Sequence, residues 1–343
     1  MPRSHGSLTG VSRTTPAARG AGLAYCAGPP RGREAGVHEG SKRAIAAAFL
    51  ANLGIAIAKF VGFLITGASS MLAEAIHSVA DTANQGLLFL GGARAARPAT
   101  PENPFGYGRE RYFWSFIVAL VLFLVGGLFA LYEGVQKIRD PHDIESPAVA
   151  LGILGVATVL EIFSLRTAVK ATIPELHGRS WWQFIRRSKS PELPVVLLED
   201  LGALVGLVFA FTGITLAVVL DEPIWDGVAT FAIGALLVSI AVVLVIEMKG
   251  LLIGESASPD DLRRIEEAIV GTPRVTGLIH MRTQHIGPEE LLVGAKIELD
   301  PALTSAGIAE TINATEARVR EAVPIARVIY LEPDIHVAPA PSG

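Results

Sequence analysis

The chain has 343 residues, 29 Lys and Arg against 33 Asp and Glu, a net charge of −4 and only 18% charged residues, with a mean hydropathy of +0.45 and a sequence pI near 6.1. This balance places it in the membrane class and argues against a nucleic-acid binder, since no basic surplus or basic stripe interleaved with aromatics is present. Cys26 is the only cysteine, so an intrachain disulfide framework and a Cys-rich zinc module are excluded and metal chemistry must use His, Asp and Glu.

Residues 1 to about 37 lack the apolar core of a secretory signal and read as a disordered basic tail, taken as 1–40. Their Arg- and Ser-rich, acid-poor composition also fits a targeting peptide or an over-extended start. From Ala44 to Met248 the chain is a series of apolar runs, each long enough for a helix to cross a hydrocarbon layer ~30 Å thick. Six spans are expected, at Ser41–Ile65, Met71–Gly92, Tyr112–Val135, Pro147–Val169, Leu193–Val219 and Ile224–Met248. The tight link Thr66-Gly-Ala-Ser-Ser70 makes the first two antiparallel neighbours.

Arg94, Arg97, Arg109 and Arg111 flank the second connection, and Arg179, Arg186, Arg187 and Lys189 lie in the fourth. The first link has no basic residue, the fifth offers Asp221 and Glu222, and the third is mixed. Basic connections stay cytoplasmic, so both termini are expected there. After Lys249 the pattern becomes that of a small soluble domain: a helix at Pro259–Val270, strands at Arg274–Gln284 and Leu291–Asp300 around Gly287-Pro288, a helix at Ser305–Ala322 and a strand at Ala326–Leu331. The expected fold class is therefore an α-helical integral membrane protein with six transmembrane helices (41–249), followed by a cytoplasmic ferredoxin-like α+β domain of order αββαβ (250–336) and a short tail (337–343).

Ionisable groups within a bilayer are costly and mark function. In the second span His77 and Asp81 are four residues apart, on one face and about 6 Å apart along the axis. Asn84 continues that face, within about 20° of His77. The fifth span carries Glu199-Asp200, and counting residues from the two ends puts Asp200 and Asp81 at similar depth. Imidazole and carboxylates make His77, Asp81 and Asp200 a three-ligand set suited to zinc, with manganese, iron, cobalt and nickel also possible. Lys59 sits about two turns from the outer end of the first span and is expected to snorkel to that interface, a pairing role being the alternative. Glu161, near Arg166, is read as a structural ion pair or a vestibule charge, and Glu74 as a solvated acid at the outer mouth or one that helps attract or release cations there.

At these residues the sequence resembles the cation diffusion facilitator family. The resemblance is carried by Met71-Leu-Ala-Glu-Ala-Ile-His77-Ser-Val-Ala-Asp81, by Pro104-Phe-Gly-Tyr-Gly108-Arg109 and by Asp226, within a match over about residues 41 to 335. It implies zinc/proton antiport, a homodimer, a metal site between the second and fifth helices and a cytoplasmic αββαβ domain. It maps the ligands onto His77, Asp81 and Asp200, whereas the fourth ligand position falls on Val196, which cannot bind metal. Glu199 resembles a branch of the family with a Glu-Asp pair here that includes a mitochondrial zinc transporter, and Glu199 or Asn84 would then supply the fourth ligand. In the cytoplasmic domain His280 matches one zinc ligand of the family, but the other positions are Ala295, Tyr330 and Glu332. A binuclear zinc site is therefore not expected there, and the domain would serve chiefly in dimerisation.

The expected function is efflux of a divalent cation, zinc foremost, from the cytoplasm in exchange for protons, from a bacterial plasma membrane, with no prosthetic group. Neutral imidazole and ionised carboxylates bind the ion while their protonated forms do not, so one site can alternate loads. A metalloenzyme lacks support, because no HExxH motif or nucleophile elbow is present. A metal-binding scaffold that has lost transport, made conceivable by Val196, is the other alternative.

Overall fold

The computed structural model describes residues 39–176 and 178–334. The expected N-terminal tail up to residue 38, with Cys26, and the tail after 334 lie outside the described residues.

A helix occupies each of the six apolar stretches. Helices α1 (Glu39–Thr66) and α2 (Ser69–Ala95) turn back on each other through Gly67, whose φ of 63° is cheap for a residue without a Cβ. The third stretch is α3 (Glu110–Val121), a wider π-helical turn at Leu122–Leu128, and α4 (Phe129–Arg139). Then follow α5 (Pro147–Thr172), the short α6 (Trp181–Arg187), α7 (Glu192–Leu220) and α8 (Ile224–Ile253). Among the described residues four helices are long and apolar enough to cross a membrane: Glu110–Arg139, Pro147–Leu176, Glu192–Leu220 and Ile224–Ile253. Helix α2 has the length, but Glu74, His77, Asp81 and Asn84 dilute its apolar character. Helix α6 was not anticipated, although Ser180-Trp-Trp-Gln183 spells a capping box: the Ser180 hydroxyl accepts from the Gln183 N–H and the Gln183 side chain answers the Ser180 N–H.

Two glycines let α4 and α8 approach closely. A Cβ on Gly134 would lie 2.5 Å from the Phe231 nitrogen, and one on Gly234 would lie 2.5 Å from the Leu131 nitrogen. Small residues facing each other allow backbone approach where lipid gives no hydrophobic drive for helix association.

One acid joins three helices. Asp226, at the start of α8 and fully buried, accepts from the Ser69 N–H at 2.7 Å and the Ser70 N–H at 3.2 Å, and from the Ser70 hydroxyl. These are unsatisfied donors of the first turn of α2, which the helix dipole also makes receptive to negative charge. The Lys137 ammonium from α4 lies 3.9 Å away and donates to the His142 carbonyl at 2.7 Å.

The C-terminal region has α9 (Pro259–Val270), β1 (Val275–Gly287), β2 (Glu290–Leu299), α10 (Ser305–Ala322) and β3 (Ala326–Asp334). β1 and β2 pair antiparallel, β2 and β3 parallel, giving a three-stranded sheet of order β1-β2-β3. Ser258 and Thr304 cap the two helices, and Ile265, Ile269, Val293, Ile297 and Val319 form the core beneath them. His280 is exposed on β1 opposite Lys296; Ala295 is buried, Tyr330 is exposed, and Glu332 lies 3.2 Å from the Lys296 ammonium.

The sheet meets the helices at its β1–β2 turn. Gly108 allows the backbone at Ile286 and Gly287 to come against the start of α3, since a Cβ there would lie 2.8 Å from the Ile286 oxygen. Arg111 donates through Nε to Glu192 at the first turn of α7, and its Nη1 is 3.6 Å from Glu289 in the turn. Lys189 pairs with Glu255 just beyond α8.

His285, at this junction, is 1% exposed, and its Nε2 has no hydrogen-bond partner. Burial, reinforced by the positive Lys189, pushes the imidazole below its ordinary value against weaker opposing contributions from the Gly287 carbonyl, Asp261 and Glu255.

Two outcomes follow for this architecture. Asp226→Ala removes one member of a buried charge pair and the cap of α2, and should cost roughly 3–5 kcal/mol in a thermal or denaturant unfolding assay. His285 is held neutral when folded, so in acid the unfolded state binds the extra proton. Stability should fall as pH drops through and below the ordinary imidazole value of about 6.5, by at most ~1.4 kcal/mol per pH unit from this group. Unfolding measured between pH 7.5 and 5 should show a shallower slope in His285→Gln.

Candidate metal centre

Helix α2 brings its polar residues to one face and turns that face inward. His77 is buried, and its Nε2 lies 3.5 Å from Asp81 Oδ2. Both ring nitrogens of His77, Oδ1 of Asp81 and Oδ1 of Asn84 are buried without a hydrogen-bond partner, a concentration of unmet polar capacity within two turns. The Asn84 amide donates to Glu199 Oε1 at 2.7 Å, which ties α2 to α7.

Glu199 and Asp200 face different neighbours, as residues about 100° apart around a helix must. Glu199 turns to Asn84 on α2, and Asp200 accepts from the Ser164 hydroxyl of α5 at 3.0 Å. Between them is a cavity of about 20 Å³, room for one small ion or one water. Ser78 and Asp81 of α2, Glu161 of α5, and Val196, Glu199 and Asp200 of α7 line it. The structure thus brings Asp81, Glu199 and Asp200 to one space, with His77 against Asp81 and Asn84 against Glu199. Among the described residues no three His, Cys, Asp or Glu side chains converge closely enough to hold a metal ion together. Val196 borders the cavity, as its position four residues before Asp200 requires.

Two sequence expectations are corrected here, and a third is narrowed. Lys59 does not snorkel to an interface: it is fully buried, donating to Glu74 Oε2 and to the Ser78 hydroxyl, each at 2.9 Å. Glu74 is likewise a fully buried partner rather than a solvated acid. Glu161 lines the cavity, and among the described residues no ion pair joins it to Arg166. The sequence reading also passed over Ser164. Its signal was its place three residues after Glu161, on the same face of one helix.

Long apolar helices, with acids turned inward around a small polar cavity, define a multi-pass membrane protein. The chain matches the cation efflux transmembrane domain over residues 45–253 and belongs to that family, the cation diffusion facilitators. It is similar to the human protein named "Proton-coupled zinc antiporter SLC30A9, mitochondrial", 30% identical over 274 residues that make up 79% of this chain and 48% of the relative. "Metal tolerance protein C4" of Arabidopsis thaliana is 27% identical over 76% of this chain and 57% of its own length. "Magnetosome protein MamB" of Paramagnetospirillum magneticum is 26% identical over 86% of this chain and 93% of its own. The chain thus spans about half the length of the human relative. A solved variant of the MamM C-terminal domain matches 23% of this chain and 93% of its own at 26% identity, with a TM-score of 0.21.

Proposed function

We propose that the protein exports a divalent transition metal ion, zinc foremost, from the cytoplasm by exchange for protons, at the cavity between α2 and α7. The observation that carries this reading is the meeting of Asp81, Glu199 and Asp200 around a cavity of about 20 Å³ within an otherwise apolar bundle. His77 and Asp81 supply a nitrogen and an oxygen ligand from one helix face, Asp200 an oxygen from the other side, and Glu199, released from Asn84, the fourth donor in place of Val196. The same donors lose their affinity for metal when they take up protons. A small shift of α7 toward α2 would draw the carboxylates onto one ion, and its reversal on the opposite face would release it. The names of the human and plant relatives support a metal cargo.

The reading includes six membrane spans (41–249), both termini in the cytoplasm, a ferredoxin-like domain at 250–336 that serves dimerisation, and assembly as a homodimer. The short α1–α2 turn without basic residues and the arginines near α3 and α6 support that orientation.

Asp81→Asn and Asp200→Asn should each abolish zinc uptake into proteoliposomes under an imposed pH gradient, because each removes a negative charge that offsets the cation in a poorly solvated site at nearly constant volume. His77→Asp should be milder and shift preference from zinc toward manganese or cadmium. Glu199→Gln should match Asp200→Asn as a fourth ligand. Wild-type rates in both aspartate variants at matched expression would remove the site. Orientation is read by cysteine accessibility: a Cys at position 186 should be labelled from the cytoplasmic side and one at 221 from the other, and the reverse pattern would invert the topology.

A further inference from the structure

A full positive charge lies beside this acidic cavity, and the exchange reaction does not call for it. Lys59 of α1 is 0% exposed and spends its ammonium on Glu74 Oε2 and Ser78 Oγ, both of α2. Ser78 itself lines the cavity.

Its partner is unusual in a second respect. Glu74 Oε1 is buried with no hydrogen-bond partner, and it lies where a Cβ on Gly206 of α7 would be, 2.4 Å from that position. Glu74 is therefore a half-satisfied carboxylate pressed into a notch of the helix that carries Glu199 and Asp200. It sits one turn from His77, toward the α1–α2 turn. Glu74 is thus the next carboxylate along α2 from His77 in that direction. An unmasked acid there would hold a divalent ion; an acid already neutralised by an ammonium would let it pass.

We infer that Lys59 is a tethered cation that masks Glu74 as a metal ligand, so that the pair sets how tightly the neighbouring site holds its divalent ion and how readily the ion leaves. The inference rests on the proposed metal site between α2 and α7 and deepens it. Lys59 is a positioning residue: it acts on the cargo through the carboxylate it occupies and through its own charge.

The test compares Lys59→Met, Glu74→Gln, the double variant and Lys59→Arg in the full-length protein in lipid nanodiscs, by zinc titration, with transport KM and kcat in proteoliposomes. Lys59→Met bares Glu74 and should tighten zinc binding roughly tenfold while lowering kcat; Glu74→Gln leaves the ammonium unopposed and should weaken binding by a similar factor. The double variant restores neutrality and should return within about threefold of wild type, and Lys59→Arg should stay near wild type. A purely structural pair would behave otherwise, with both single changes impairing binding in the same direction and no recovery in the double, and that outcome overturns the inference. Should Lys59→Met fail to fold, weaker binding in Glu74→Gln that is restored in the double variant supports the inference, and equal binding in those two overturns it. Asp81→Asn and Asp200→Asn titrated alongside separate the two readings: unaltered zinc binding in both would remove the site itself, whereas lost binding there combined with no opposite shifts at Lys59 and Glu74 would remove the masking alone.

Discussion

Hydrocarbon gives a charged group nothing to bind, and the arrangement of the helices follows from that constraint. Lys59, Glu74, Asp81, Glu161, Glu199 and Asp200 lie within the helices of the bundle, each against another helix, and His77 is buried beside Asp81. Satisfying them fixes the neighbours: Lys59 binds α1 to α2, Asn84 and Glu199 bind α2 to α7, and Ser164 and Asp200 bind α5 to α7. Helices α2 and α7 each take part in two of these three ties. The apolar residues of α5, such as Val159 at 67% and Phe163 at 72% exposed, are left to face outward, where lipid makes them cheap.

Where the charges leave off, the bundle relies on close backbone contact and on one shared acid. The notches at Gly134 and Gly234 set the α4–α8 distance, and Asp226 ends the problem of the unsatisfied N–H groups at the head of α2 without exposing them to water. A helix whose first turn is held by a side chain from a distant part of the chain cannot be moved alone. Its polar face is thereby kept in register with α7, and the cavity depends on that register.

Much of this was legible in the sequence, for identifiable reasons. The apolar runs placed the helices because membrane thickness sets a length that composition reveals directly, and the 3.6-residue period put His77, Asp81 and Asn84 on one face. The helices expected at Pro259–Val270 and Ser305–Ala322 are α9 and α10, and the structure adds their caps, Ser258 and Thr304. Lys59 was misread because depth was judged by distance from a helix end, which says nothing about the face a side chain takes; its partners are 15 and 19 residues away across a turn. The π-helical turn at Leu122–Leu128 changes no apolar pattern and so leaves no mark in composition. The division of Glu199 and Asp200 between two neighbouring helices follows from helix geometry, but naming Asn84 and Ser164 as their partners needed the fold.

Arg111 places one guanidinium between Glu192, in the first turn of α7, and Glu289, in the turn of the sheet domain. In thermodynamic terms this makes the two regions conjugate. If a ligand or contact that prefers one position of the β1–β2 turn moved α7 through that side chain, whatever fills the cavity beside Asp200 would act on the sheet by the same amount. The sheet domain is in this way joined, through one side chain, to the helix that lines the ion-sized space in the bundle.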